Sequence, residues 1–214
     1  MRKLLLGAAA CAALLAAGAA NASVTVEIFT DQVGAANNAT LAQAGALGAP
    51  QATVSVDGIN FTNAPGDNSD ISTIGDFLNN PAGLASGVAN HTLDNTYLFI
   101  TGSAFLNAGD NAFAVSHDDG LQLSFDGGIG LVVDQPGPHS PILTPFNVHA
   151  PSAGTYNFQL SYGECCGGPA ELILDLNNAP VGGIPEPATW GLMLVGFGGL
   201  GAMLRRRRSV ALTA

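Results

Sequence analysis

Apolar and polar residues alternate along much of this chain with the period of two that a half-buried β-strand requires. Val24, Val26 and Ile28 alternate with Thr25 and Glu27, and the segment 129–133 follows an Asp-Gly-Gly turn as a hairpin partner for the strand before it. Further strand patterns occupy residues 54–56, 59–61, 96–101, 121–125, 156–162 and 172–176. Strands that recur between Gly and Asp turns predict an all-β fold, a single antiparallel β-sandwich.

Two segments interrupt the strand pattern. Residues 37–49 are rich in alanine and predict either a short helix or a loose loop, and residues 71–89 predict a long excursion. The sandwich domain is expected to span residues 23–180, a length sufficient for one domain with its own core.

The N-terminus has the pattern of a secretory signal peptide. Arg2 and Lys3 precede an apolar, alanine-rich run, and Ala20-Asn21-Ala22 is a small-x-small cleavage site, so residues 1–22 are predicted to be removed. Cys11 lies within the apolar run. Lipoprotein cleavage there would leave an apolar region of only about seven residues, which argues against that alternative.

The C-terminus combines a short apolar segment with a basic cluster. The segment from Trp190 to Leu204 would be about 22 Å long as a helix, shorter than the ~30 Å hydrocarbon core. Because positive residues are retained in the cytoplasm, the chain before this segment is expected to lie outside. The sequence thus divides into a linker at 181–187, a membrane segment with its arginine cluster at 188–208, and a tail at 209–214.

This arrangement resembles the PEP-CTERM sorting signal of Gram-negative bacteria. The residues that carry the resemblance are Pro185, Glu186, Pro187, Trp190, Gly196-Phe197-Gly198, Arg205, Arg206, Arg207 and Arg208. The resemblance implies export through the inner membrane, recognition by an exosortase and cleavage near Pro-Glu-Pro. It also implies that the protein is located at the cell surface or in an exopolysaccharide or biofilm matrix. An ordinary membrane anchor is the alternative.

Charge is distributed unevenly. All six Lys and Arg residues lie in the first three positions or in the arginine cluster, whereas fifteen of the sixteen Asp and Glu residues lie in residues 23–184, which contain no Lys or Arg. A domain without basic side chains cannot neutralise phosphates, which excludes a nucleic-acid partner. Its carboxylates must be solvated, hydrogen-bonded or bound to cations, and calcium is the obvious extracellular cation.

Residues 111–176 resemble the core of the protective-antigen-type β-sandwich (the PA-fourteen family). The matching features are an aromatic strand, Asp118-Asp119-Gly120, an alternating strand and Asp126-Gly127, followed by a small-Gly turn, an aromatic strand, a Gly-rich loop and an alternating Leu strand. The first half of the chain matches little. The resemblance implies a carbohydrate-binding or adhesive module, with Asp118 and Asp119 as candidate calcium ligands.

The residues themselves give a separate argument for calcium. Two adjacent carboxylates that are partly buried cannot both ionise without a cation or several N–H donors. Asp134 or Asn111 would be further ligands. The alternative is a hairpin turn in which each Asp bonds only its own backbone.

Cys165 and Cys166 are the cysteines outside the signal peptide, and export places them in an oxidising compartment. A vicinal disulfide is predicted; two free thiols or intermolecular bridges are the alternatives. Two cysteines are too few for a zinc site.

No catalytic motif is recognised, and the four histidines are scattered, His117 beside Asp118 being the one of interest. The sequence therefore predicts a secreted, non-catalytic glycan- or exopolysaccharide-binding protein with calcium as a candidate ion. A structural matrix protein without a specific ligand and a polysaccharide hydrolase are the alternatives. The predicted partners are the exosortase, a glycan and, transiently, the inner membrane.

Overall fold

The computed structural model describes residues 24–62 and 73–182. The signal peptide, the residues of the sorting signal and the C-terminal tail lie outside these ranges. Eleven strands and four single-turn helices form the described part: β1 (Val24–Phe29), α1 (Val33–Ala36), α2 (Leu41–Ala44), β2 (Ala52–Val56), β3 (Asn60–Thr62), α3 (Ile74–Phe77), α4 (Ser86–Ala89), β4 (Thr96–Leu106), β5 (Gly109–Asp118), β6 (Leu121–Phe125), β7 (Gly130–Gln135), β8 (Ile142–Ala150), β9 (Gly154–Glu164), β10 (Glu171–Leu176) and β11 (Ala179–Pro180).

The strands form two antiparallel sheets, which confirms the predicted all-β sandwich. The larger sheet has the order β2-β1-β4-β9-β6-β7 and the smaller one β11-β10-β5-β8, with β3 also pairing with β10. We call them the six-stranded and the five-stranded sheet. The core lies between them, because alternate side chains of each strand point inward: Leu98 and Ile100 come from β4, and Leu172 and Leu174 from β10, all fully buried.

The segment that carries α1 and α2, and includes the alanine-rich residues 37–49, covers the outer face of the six-stranded sheet. Tyr97 donates a hydrogen bond to the carbonyl oxygen of Thr40 (2.9 Å), and Ser161 donates one to the carbonyl oxygen of Ala39 (2.6 Å). A Cβ atom on Gly163 would lie 2.4 Å from the carbonyl oxygen of Ala36, so this approach requires glycine. The short-helix alternative for this segment is the one observed.

The excursion after β3 closes one end of the core. It carries α3 and α4, and the Phe77 ring of α3 lies between Phe61 and Tyr162, with a centroid separation of 5.6 Å to each. Phe77 is fully buried.

The described chain enters and leaves the sandwich at neighbouring points. Val181 is buried and donates a backbone hydrogen bond to Leu174 (2.7 Å), so the sandwich continues past the boundary predicted at residue 180. A Cβ atom on Gly182 would lie 2.9 Å from the Val24 side chain at the start of β1.

No helix within 24–62 and 73–182 is long and apolar enough to cross a membrane.

Candidate ligand and metal site at one end of the sandwich

The strand register brings the predicted Asp pair to the same end of the sandwich as the cysteine pair. Asp118 ends β5 and lies opposite Glu171, which begins β10, and the Cys pair follows Glu164 at the end of β9. β5 belongs to the five-stranded sheet and β6 to the six-stranded sheet. Asp118-Asp119-Gly120 therefore crosses between the sheets, and the hairpin-turn alternative is wrong.

Asp119 is held by the loops around it. It is 4% exposed, and its two carboxyl oxygens accept backbone hydrogen bonds, Oδ1 from His139 (3.1 Å) and Oδ2 from Cys165 (3.0 Å). Its side chain thus links the connection between β7 and β8 to the connection between β9 and β10. This carboxyl is fixed by the fold and does not depend on its own turn for partners.

Asp118 is also buried, and its environment opposes a second negative charge. Burial is the main cause that raises the pKa of its carboxyl to about 7, and the neighbouring Asp119 and Glu171 add to the shift. A cation close to Asp118 would oppose each of these effects and would favour the charged carboxylate.

A third carboxyl, that of Glu164, lies behind the pair. Its Oε2 is 2.8 Å from the hydroxyl oxygen of Tyr162, and that hydroxyl also contacts the carbonyl oxygen of Asp118. Burial raises the pKa of Glu164 to about 9, and the charges of Asp119, Asp118 and Asp94 add to it, while the bond from Tyr162 acts in the opposite direction. Three buried carboxyls thus share this end of the sandwich.

His117 supports the crossing from inside the core. It is fully buried on the inward face of β5, with Nδ1 2.7 Å from the carbonyl oxygen of Asp119 and Nε2 2.8 Å from the side chain of Gln135. Burial lowers the pKa of His117, so the neutral ring is favoured, with Nδ1–H donating to Asp119. Its role here is to position the Asp119 backbone.

Cys165 and Cys166 are joined by a disulfide, with Cys165 buried and Cys166 exposed. The sulfur of Cys165 lies 3.1 Å from Asp119 Oδ2, but a disulfide sulfur carries no hydrogen, so this contact is not a hydrogen bond. Asp119 and the two cysteines form the one group of three metal-ligand side chains found close together in the described ranges. Disulfide sulfurs are not thiolates, so oxygen atoms are the ligands that this end can offer.

Two further predicted calcium ligands lie elsewhere. Asn111 holds the turn at the opposite end of β5 through bonds to Asn107, and Asp134 accepts a hydrogen bond from Gln122 on the surface. The expectation that either residue joins the Asp pair is wrong.

The donor set nevertheless suits calcium. Calcium prefers oxygen ligands, and the described residues contain no Lys or Arg that could neutralise the buried carboxyls. Glu164 was not identified from the sequence, although it lies two residues beyond Tyr162 and so continues the inward-facing positions of that strand. A polar residue at an inward position is the signal that could have identified it.

A groove of about 410 Å³ lies at the edge of the sandwich, and none of these carboxyls lines it. Its walls include Asp57, Asn60, Leu78, Asn79 and Pro180. Because it contains no cluster of polar groups without partners, we place the candidate site at the Asp118–Glu164 end.

Comparisons with known proteins bear on both parts of the chain. Residues 183–208 match the PEP-CTERM protein-sorting motif, which confirms the predicted sorting signal. The sandwich is similar to the PA14 domain of the antifreeze protein MpAFP, with a TM-score of 0.57 and 16% identity over 73% of this chain and 84% of that one. It is also similar to a PA14 sugar-binding domain from an RTX adhesin, with a TM-score of 0.51 and 20% identity over 76% of this chain and 92% of that one. No curated protein matches the sequence. The similarities show that the sandwich has the PA14 fold.

Proposed function

We propose that this chain, a PA14-type sandwich with a PEP-CTERM sorting motif, is an exported, non-catalytic protein of the cell surface or matrix that binds a glycan through calcium. The motif supports export and processing by an exosortase. The adhesin domain of the same fold is named a sugar-binding domain, which supports the same class of ligand here. An exopolysaccharide of the matrix is the glycan that such sorting would bring within reach.

The observation that carries the calcium proposal is the pair of buried carboxyls at Asp118 and Asp119. Calcium takes about 6–8 oxygen ligands, more than two aspartates supply. Some coordination positions would therefore be left for hydroxyl oxygens of a sugar. This arrangement would explain why the carboxyls lie at the loop end of the sandwich rather than on a strand face.

The test compares the full-length protein with Asp118→Asn. We expect the calcium affinity to fall by about tenfold or more, equivalent to ~1.4 kcal/mol, because the substitution removes the charge of one ligand and keeps its shape. Glycan binding on a bacterial polysaccharide array should fall in parallel, and chelation of calcium should abolish it in the wild type. Titration calorimetry measures the first quantity, and Asp57→Asn, an exposed acid distant from the pair, is the control.

Asp119→Asn is a less clean probe. Asn has one acceptor oxygen, so it would lose the bond from either His139 or Cys165, with a stability cost of about 1 kcal/mol in addition to any lost calcium affinity. Circular dichroism would separate the two effects. Unchanged calcium affinity in Asp118→Asn would contradict the calcium site, and no glycan binding by the wild type would leave the structural matrix protein as the function.

A further inference from the structure

Three buried oxygen atoms near the start of β4 and the end of β9 have no hydrogen-bond partner among the described residues. They are Oδ1 of Asp94, Oγ1 of Thr96 and Oε1 of Glu164. Thr96 is fully buried and Glu164 is 2% exposed. A buried polar atom without a partner is costly and requires an explanation.

The register places two of these side chains opposite one another, and the third precedes Thr96 by two residues. Thr96 lies directly opposite Glu164 in the β4–β9 pair, and both continue the inward face marked by Leu98 and Tyr162. Opposed side chains in such a pair have Cβ atoms about 4.5–5.5 Å apart. Asp94 lies in the turn that leads into β4, where the Thr96 amide donates to the Leu93 carbonyl oxygen (3.1 Å), and its charge acts on Glu164.

The second carboxylate oxygen of each acid is already bonded. Asp94 Oδ2 accepts from the Asn95 side chain (2.9 Å), and Glu164 Oε2 lies 2.8 Å from the Tyr162 hydroxyl. The free oxygens are therefore held in place by their own side chains, not by one another.

Only a donor or a cation satisfies such a set. A water molecule that donates to the two carboxyls and accepts from the Thr96 hydroxyl would also satisfy the three oxygens, but it would not offset the effect of the Asp94 charge on Glu164. A divalent cation satisfies all three oxygens and offsets both charges. Calcium accepts irregular sets of oxygen ligands, whereas magnesium demands near-octahedral geometry.

We propose that Asp94, Thr96 and Glu164 form a buried structural calcium site, separate from Asp118 and Asp119. The ion ties the turn before β4 to the end of β9, directly beneath the loops that carry the cysteine and Asp pairs. It contacts no ligand outside the protein. Its effect is on the stability of this end of the sandwich.

The test counts the calcium ions bound to the full-length protein by equilibrium dialysis at low micromolar free calcium. Glu164→Gln and, independently, Asp94→Asn are expected to lose one ion per chain, or to weaken its binding at least tenfold. The Asp118→Asn, Asp119→Asn double variant should retain that ion with a smaller loss of affinity than Glu164→Gln, because it removes charges that act on Glu164 but none of the three proposed ligands. Asp57→Asn, which removes one exposed charge, should bind calcium as the wild type does.

Thr96→Val gives a second measurement with opposite outcomes. If the hydroxyl ligates calcium, the substitution lowers the calcium affinity and the calcium-dependent rise in melting temperature. If no ion binds there, it removes a buried polar atom without a partner and raises the melting temperature with no change in calcium binding. The second result, or unchanged binding in Asp94→Asn and Glu164→Gln, would overturn the site and leave a buried water.

These outcomes are independent of the proposed function. Suppose that the wild type binds one calcium ion, that the double Asn variant retains it and that Glu164→Gln loses it. The structural site then exists, and the calcium site proposed for glycan binding does not. A protein that loses all calcium in the double Asn variant has only the latter.

Discussion

Glu164 occupies a position where the rest of the strand places apolar side chains. Tyr162 and Leu160 precede it on the inward face of β9, and all three are buried. A carboxyl in this place is more easily kept neutral than charged, since burial raises its pKa to about 9. The protonation of this single residue should therefore be visible in the stability of the protein.

We expect the stability of the calcium-free protein to decline as the pH rises from about 4.5 to about 9. The folded protein holds the Glu164 proton, with a pKa of about 9, over a range in which the unfolded chain has released it, with a pKa near 4.5. The unfolded state then binds fewer protons, so this residue's contribution is fully present at low pH and is lost as the pH rises. Asp118, whose pKa is raised to about 7, contributes with the same sign at lower pH.

The measurement is urea unfolding in a chelator at a series of pH values. In Glu164→Gln the free energy of unfolding should fall less steeply with pH, by at most about 1.4 kcal/mol per pH unit, because the folded and unfolded states no longer differ by the Glu164 proton. Glu27→Gln, on the outer side of β1, serves as the control for the charge change alone. Parallel profiles for wild type and Glu164→Gln would show that this carboxyl does not hold the proton. The facing groups that contribute to its shift are Asp94, Asp118, Asp119 and Tyr162.

At the scale of elements, α3 acts as the cover over the end of the core. Phe77→Ala should lower the free energy of unfolding by about 3–5 kcal/mol, because it removes a fully buried ring that packs between Phe61 and Tyr162. Phe105→Ala is the matched control, since that ring is 59% exposed, and it should change stability by no more than about 0.5 kcal/mol. Urea unfolding followed by circular dichroism measures both, and equal losses would mean that α3 is not packed as described.

The strands could be predicted where one face is apolar and the other polar, as in β1, β6 and β9. β8 has no such pattern: Leu143 is 64% exposed, Pro145 lies in the middle of the strand, and the strand is at the edge of its sheet, where a proline is tolerated. The sequence also places Asp118 and Asp119 correctly at a strand end. It cannot show that they cross between sheets, that Glu164 lies behind them, or that Thr96 faces Glu164, because those contacts depend on register between distant segments.

At the scale of the whole molecule, the sandwich and the sorting motif should act separately. Changing Pro185-Glu186-Pro187 is expected to block cleavage, so that the uncleaved chain accumulates in the membrane fraction. Neutral residues in place of Arg205–Arg208 should instead remove cytoplasmic retention and impair sorting. Intact-mass measurement of the cell-surface and membrane fractions distinguishes these outcomes, with Ser209→Ala, one residue beyond the matched motif, as the control. A Pro-Glu-Pro variant that is cleaved and released like the wild type would contradict the sorting role.

The adjacency of Val24 and Gly182 determines how the domain would be presented. Both ends of the described chain leave from one place. Thr25, next to that place, pairs with Thr101, and five residues of β4 separate Thr101 from Thr96 at the Asp118 end, a distance of roughly 17 Å. A molecule tethered through the segment after Gly182 is thus attached at one flank, and its Asp118 loops lie at a distance from the point of attachment. Under the proposed function, those loops would stay accessible to a glycan outside the cell while the chain is still tethered, so binding would not depend on cleavage.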